Sequence, residues 1–208
     1  TDDPDGGSGD LAPSENQLVV TPAETAVVVT TGAPPAQVQL RARRADGVDV
    51  TAQAAWSLLD SSYGAVSGGL VTLSDQLGVG GQTQVQARLG DESGLARLYV
   101  KVVAADLIGG GVSGSAASSF DGPPTGVAPQ VVYPFDGTML ARNVNGMRLA
   151  FRAVSGATLY RVVLDSAAFQ QRVFLGAQAC PGGECSYLVD DKLWARVARG
   201  GQGLGDGA

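Results

Sequence analysis

Apolar and polar residues alternate through Gln37-Val38-Gln39-Leu40-Arg41-Ala42-Arg43, and the rhythm recurs in Gln82–Leu89 and in Arg97–Val102. Successive side chains on a strand point to opposite faces, so a period of two buries one face and wets the other. That pattern belongs to antiparallel sheets packed face to face; a parallel sheet, buried on both sides, reads as continuous apolar runs. Turn signals punctuate the runs at Asp46-Gly47, Gly68-Gly69 and Asp91-Glu92-Ser93-Gly94, where backbone torsions of positive sign are needed. Short strands at regular spacing with such punctuation predict an all-β sandwich.

Composition agrees. Glycine occurs 30 times in 208 residues and charged residues make up only 16%, which favours many turns over charge-laced helices. Along the chain, residues 1–14 form an acidic Gly/Asp/Pro tether, and residues 15–104 carry the alternating patterns. Residues 105–126 turn to Gly, Ser, Ala and Pro and read as a linker too poor in apolar surface to order itself. A second patterned region spans 127–200, and 201–208 is a Gly-rich tail. One short helix is expected at Asp190–Arg199, with acids in its first turn, arginines in its last and Gly200 just beyond.

The stretch Leu18–Val103 resembles the bacterial Ig-like group 2 domain. The matching residues are Val19-Val20-Thr21-Pro22, the Gln37–Arg43 strand, Val50-Thr51 leading to Ala55-Trp56-Ser57, Ala65–Thr72, Gly80-Gly81, Val85-Gln86-Ala87 and Tyr99–Val102. Leu58-Leu59-Asp60 departs from it, being more apolar than that turn usually is. The resemblance implies that Trp56 fills the core between the sheets; a sugar-stacking platform is the alternative. The second region opens with Pro129–Thr138 and is similar to fibronectin type III-like or Ig-like domains of bacterial surface proteins. Strands are expected at Arg148–Arg152, Leu159–Leu164 and Arg172–Leu175, with Phe151 at the position of the usual core tryptophan. The fold class is therefore two tandem Ig-like β-sandwich modules. Such a sandwich needs about two more strands after the helix, so the second module reads as incomplete. Truncation from a longer protein is the preferred explanation, and a strand arriving from a neighbouring copy is the other.

Cys180 and Cys185 flank Pro181-Gly182-Gly183-Glu184, a turn tight enough to bring both sulfurs within bridging reach. A disulfide there implies an oxidising compartment. Half of a zinc site is the rival, but the chain has no histidine and no third cysteine. The acidic start is unlike a signal peptide and resembles the tether found just after a processing site, so a targeting segment is expected to have been removed or left off. No apolar run approaches the roughly 20 residues of a membrane-crossing helix, so no transmembrane segment is expected.

Without histidine, most nucleophile–base pairs and ligand sets are lost at once. Lys101 and Lys192 lack a matching serine motif for Ser-Lys catalysis. Asp46, Asp49, Asp60, Asp75 and Asp136 read as turn aspartates, not as paired acids. Neither Asp2, Asp3, Asp5 and Asp10 nor Asp46 and Asp49 have the spacing of a calcium loop. Catalytic residues, cofactor and metal are accordingly expected to be none. A net charge of −6, with the cluster Arg41, Arg43 and Arg44 offset by Asp46 and Asp49, argues against a nucleic-acid partner. The expected function is a non-catalytic structural, adhesion or assembly module of a secreted or surface-anchored bacterial protein. Its partners would be proteins or further copies at the cell surface. The alternatives are a carbohydrate-binding accessory region of a secreted hydrolase, with glycan as partner, and a filament subunit assembled by strand exchange.

Overall fold

The structure is a computed structural model that describes residues 17–123, 127–141, 143–144 and 146–200. The expected tether, the tail and the calcium candidates Asp2, Asp3, Asp5 and Asp10 lie outside these. The described chain is built mostly of strands, with one short α-helix. In order they are β1 (Val19–Thr21), β2 (Glu24–Thr30), β3 (Gln37–Gln39), β4 (Arg41–Arg43), β5 (Ala55–Leu58), β6 (Gly64–Ser67), β7 (Leu70–Leu73) and β8 (Gly81–Leu89). Next come β9 (Glu92–Val103), β10 (Leu107–Ile108), β11 (Val131–Tyr133), β12 (Arg148–Arg152), β13 (Leu159–Asp165), β14 (Phe169–Gly176), β15 (Glu184–Leu188) and α1 (Asp191–Gly200). All-β is thus the class.

The residues gather into two compact units, neither continuous in sequence. Among the described residues, one holds those up to Thr25 with Gln37–Thr72 and Thr83–Leu98; the other holds Ala26–Ala36, Leu73–Gln82 and the described residues from Tyr99 to Gly200.

In the first unit the alternation expected for Gln37–Arg43 is present, but the run is two strands. β3 pairs with β7, and β4 pairs antiparallel with β1, placing buried Ala42 opposite buried Val20. Leu40, between them, is fully buried and its N–H donates to Gly69 O at 2.8 Å. A strand that changes partners midway keeps its side-chain rhythm, which is why the sequence does not reveal the break. Gly68 and Gly69 take φ of 55° and 80° in the tight turn between β6 and β7, the geometry that favours glycine at both turn positions.

In the second unit β14 is the central strand. β13 pairs antiparallel with it through seven residue pairs, from Leu159 opposite Gly176 to Asp165 opposite Gln170. The end of β9 and then β10 pair with it in parallel, at Phe169–Gln170 and at Val173–Phe174. A second sheet, β11-β12-β15, packs across from it. Phe151 and Cys185, opposite one another on β12 and β15, meet Tyr160, Val173 and Leu175 in one buried cluster. The Phe151 and Tyr160 rings lie 5.3 Å apart at 59°, a tilted aromatic pair worth about 1 kcal/mol beyond its area burial. Phe151 therefore occupies the core, as expected.

The stretch expected to be an unstructured linker is, in its described part, docked. Asp106 accepts two hydrogen bonds from Arg172, at 2.7 and 3.0 Å, and Gly109 N–H donates to Phe174 O at 2.8 Å. A 3₁₀ segment, Gly114–Phe120, comes next and sets Phe120 against Phe174 with centroids 5.6 Å apart. Composition judged only the apolar surface this stretch carries. Its order comes from pairing with β14, a non-local partner.

The helix forms one residue later than expected at each end. Asp190 Oδ1 accepts from the N–H groups of Lys192 and Leu193, at 2.9 and 3.2 Å, satisfying two of the first-turn donors that a helix leaves free. Leu193 is buried, and Ala168 N–H donates to Gly200 O at 3.1 Å.

Candidate functional site

A concave feature lies within the second unit. It is a groove of about 590 Å³ whose lining includes Val131 and Tyr133 of β11, Leu149 and Phe151 of β12, and most of β13, with Phe120 and Val127 at its margins. The floor belongs to the buried aromatic cluster, whereas Val131 is 62% exposed and Val163 is 44% exposed. Apolar surface left open in this way is the usual mark of an interaction site. Arg161 is the one charged residue of the lining; its guanidinium sits 4.8 Å from the centre of the Phe120 ring, a cation–π contact. The Tyr160 hydroxyl accepts from Val154 N–H at 3.3 Å, clamping the turn before β13.

The backbone of β13 completes the site. Ser166 N–H donates to Phe169 O, and Ala177 N–H donates to Thr158 O, at the two ends of the β13–β14 pair. In an antiparallel ladder, residues alternate between exchanging both bonds with the partner and exchanging none. The register then commits Tyr160, Val162 and Leu164 to β14. Leu159, Arg161, Val163 and Asp165 direct their N–H and C=O groups the other way. β13 pairs with no strand but β14 among the described residues, so that side is an unpaired edge beside an apolar groove.

Apart from Phe151 and the two cysteines, the candidate residues singled out in the sequence fall elsewhere. Cys180 and Cys185 form a disulfide. Cys185 is fully buried and stands opposite Phe151, so the bridge backs the floor of the groove. Trp56, which the resemblance sets in the core between the sheets, is half-buried here; its indole N–H donates to Thr51 O at 2.9 Å. Thr51 in turn holds Ala42 N–H through its hydroxyl oxygen at 2.9 Å, so the indole edge is tied to a loop. Lys101 contacts Asp165 at 2.6 Å, and Lys192 lies in the first turn of α1.

Three of the acidic candidates serve their own turns. Asp46, Asp49 and Asp60 each accept from the backbone N–H two residues on, at 2.9–3.0 Å. Hydrogen bonds from Thr51, with Arg43 and Arg41 nearby, hold the Asp49 carboxyl below its ordinary value. Those from Ser62 do the same for Asp60. Among the described residues, no three His, Cys, Asp or Glu side chains converge as a metal site would require. Arg43 reaches Asp49 at 4.0 Å and Arg44 reaches Glu92 at 2.9 Å, so the basic cluster is offset by Asp49, as expected, and by Glu92 instead of Asp46.

Sequence reasoning missed Phe120 and Arg161 because each gains its role from a neighbour distant in the chain. The strand Leu159–Leu164 was legible, but its unpaired side was not. Neither the family models nor the curated proteins compared with the chain match it.

Proposed function

We propose that the chain is a non-catalytic assembly or adhesion module of a secreted or surface-attached protein, built on immunoglobulin-like facing sheets. It works through the open side of its second unit. The observation that carries this is the pairing of an unsatisfied strand edge with an open apolar groove on the same strand, β13. Edges of this kind accept an extended segment by adding a strand: main-chain hydrogen bonds supply affinity, and pockets for alternate side chains supply selectivity. The groove lining brings one guanidinium and two phenols to an apolar surface, a composition suited to holding a partner. The disulfide supports an oxidising compartment, and no described helix is long and apolar enough to cross a membrane.

The test is association with the surface of the cells that produce the chain, compared with Val131→Glu and Val163→Glu. Both side chains are exposed, so the variants should keep the native circular dichroism and melting temperature while surface association falls. Undiminished association in both variants would remove the groove from the function.

A further inference from the structure

Resting on that reading, we infer that the partner of β13 is a second copy of this chain, joined edge to edge by antiparallel β13–β13 pairing about a twofold axis. The argument is one of register and charge. Among the described residues, Leu159, Arg161, Val163 and Asp165 are those of β13 that present unpaired backbone groups at the edge, so odd-numbered residues must face odd-numbered residues. A twofold axis makes the two strands antiparallel and the contact self-complementary. Three central registers satisfy both conditions. Centring on Arg161 sets that arginine against its own copy, a like-charge clash. Centring on Val162 sets Arg161 against Val163 and Leu159 against Asp165, placing each charge against an apolar side chain. Centring on Val163 sets Arg161 against Asp165 of the second copy, twice by symmetry, with Val163 against itself between them. On the other face the same register sets Val162 against Leu164. It is the one central register with opposite charges matched and apolar residues matched.

The side chains concerned can take part. Arg161 and Asp165 are both exposed, and Lys101 at 2.6 Å from Asp165 leaves that carboxylate further lone pairs for a second cation. Val131 and Tyr133, exposed at the groove, lie beside the joined edges, where a second copy would cover them.

Sedimentation of the oxidised full chain across a wide concentration range tests the inference. The expected result is a concentration-dependent dimer. Arg161→Asp sets two aspartates face to face at each end and should weaken association by about a hundredfold. Asp165→Arg should weaken it similarly by opposing arginines, and the double exchange Arg161→Asp with Asp165→Arg should restore it. Val163→Pro supplies a control independent of charge: its N–H faces the edge, so the β14 ladder stays intact and the fold survives while dimerisation is lost. A monomer at every concentration overturns the inference. So does a dimer indifferent to these changes, or a double exchange no better than the single ones. A monomeric chain whose surface association still depends on Val131 and Val163 would leave the assembly module standing and assign β13 to a different protein's strand.

Discussion

At the scale of single residues, Asp49 and Asp60 show how turn geometry becomes a pH response. Each carboxylate accepts hydrogen bonds that favour its charged form over its neutral one, so each folded pKa lies below the ordinary 3.8. The contribution of such a group is present above the unfolded pKa and disappears as the pH falls through the folded one. Carbon-detected NMR titration should therefore find both carboxyls ionised below 3.8, and Asp49→Asn and Asp60→Asn should flatten the acid limb of the stability curve. Gly80 makes a different residue-scale demand. Its N–H donates to Ala168 O at 3.0 Å, and a Cβ there would press on the carbonyl oxygens of Val100 and Ala168. Because backbone has to move to admit a methyl, Gly80→Ala should cost about 2 kcal/mol in denaturant unfolding. The sequence marked Gly80-Gly81 only by resemblance; the reason for glycine, a close backbone approach, needs Ala168, far along the chain. Trp56 repeats the lesson. Its strand was readable, but its hydrogen bond to Thr51 O depends on a loop conformation that no periodicity encodes.

At the scale of elements, β13 should give an alternating hydrogen-exchange pattern in dilute solution. The amides of Tyr160, Val162 and Leu164 bond to β14 and should exchange slowly, while those of Leu159, Arg161 and Val163 should exchange orders of magnitude faster. Uniform protection along the strand would mean that the edge is already covered. The disulfide acts at the same scale. Closing the short turn between Cys180 and Cys185 removes freedom from the unfolded chain, and reduction should lower stability by about 2 kcal/mol. Because Cys185 stands opposite Phe151, reduction should also perturb near-ultraviolet aromatic signals. Strands, turns and helix limits were legible because local alternation, paired glycines and capping aspartates are local causes. The division of Gln37–Arg43 into β3 and β4, and the docking of Asp106–Phe120 on β14, were not, since both are set by partners distant in sequence.

At the scale of the whole molecule, the chain's two units take their residues in turns. A cut at the Gly-rich stretch, where composition suggests a boundary, would separate Phe169 and Gln170 from their pairing with Val102 and Val103. The same cut would remove the bond from Gly80 N–H to Ala168 O. Residues 105–208 expressed alone should therefore be markedly less stable than in the intact chain, with early loss of tertiary aromatic signals on heating. A fragment as stable as the whole would show that those pairings contribute little.

On β13, amide direction and side-chain face change together at every step, so fold and fellowship are written in alternate letters. The amides of Tyr160, Val162 and Leu164 bind the strand to β14; those of Leu159, Arg161, Val163 and Asp165 are what an incoming chain would meet. Mutation could thus retune the companion this molecule accepts while leaving its interior untouched, whereas one inserted residue would exchange the two alphabets and spoil both at once.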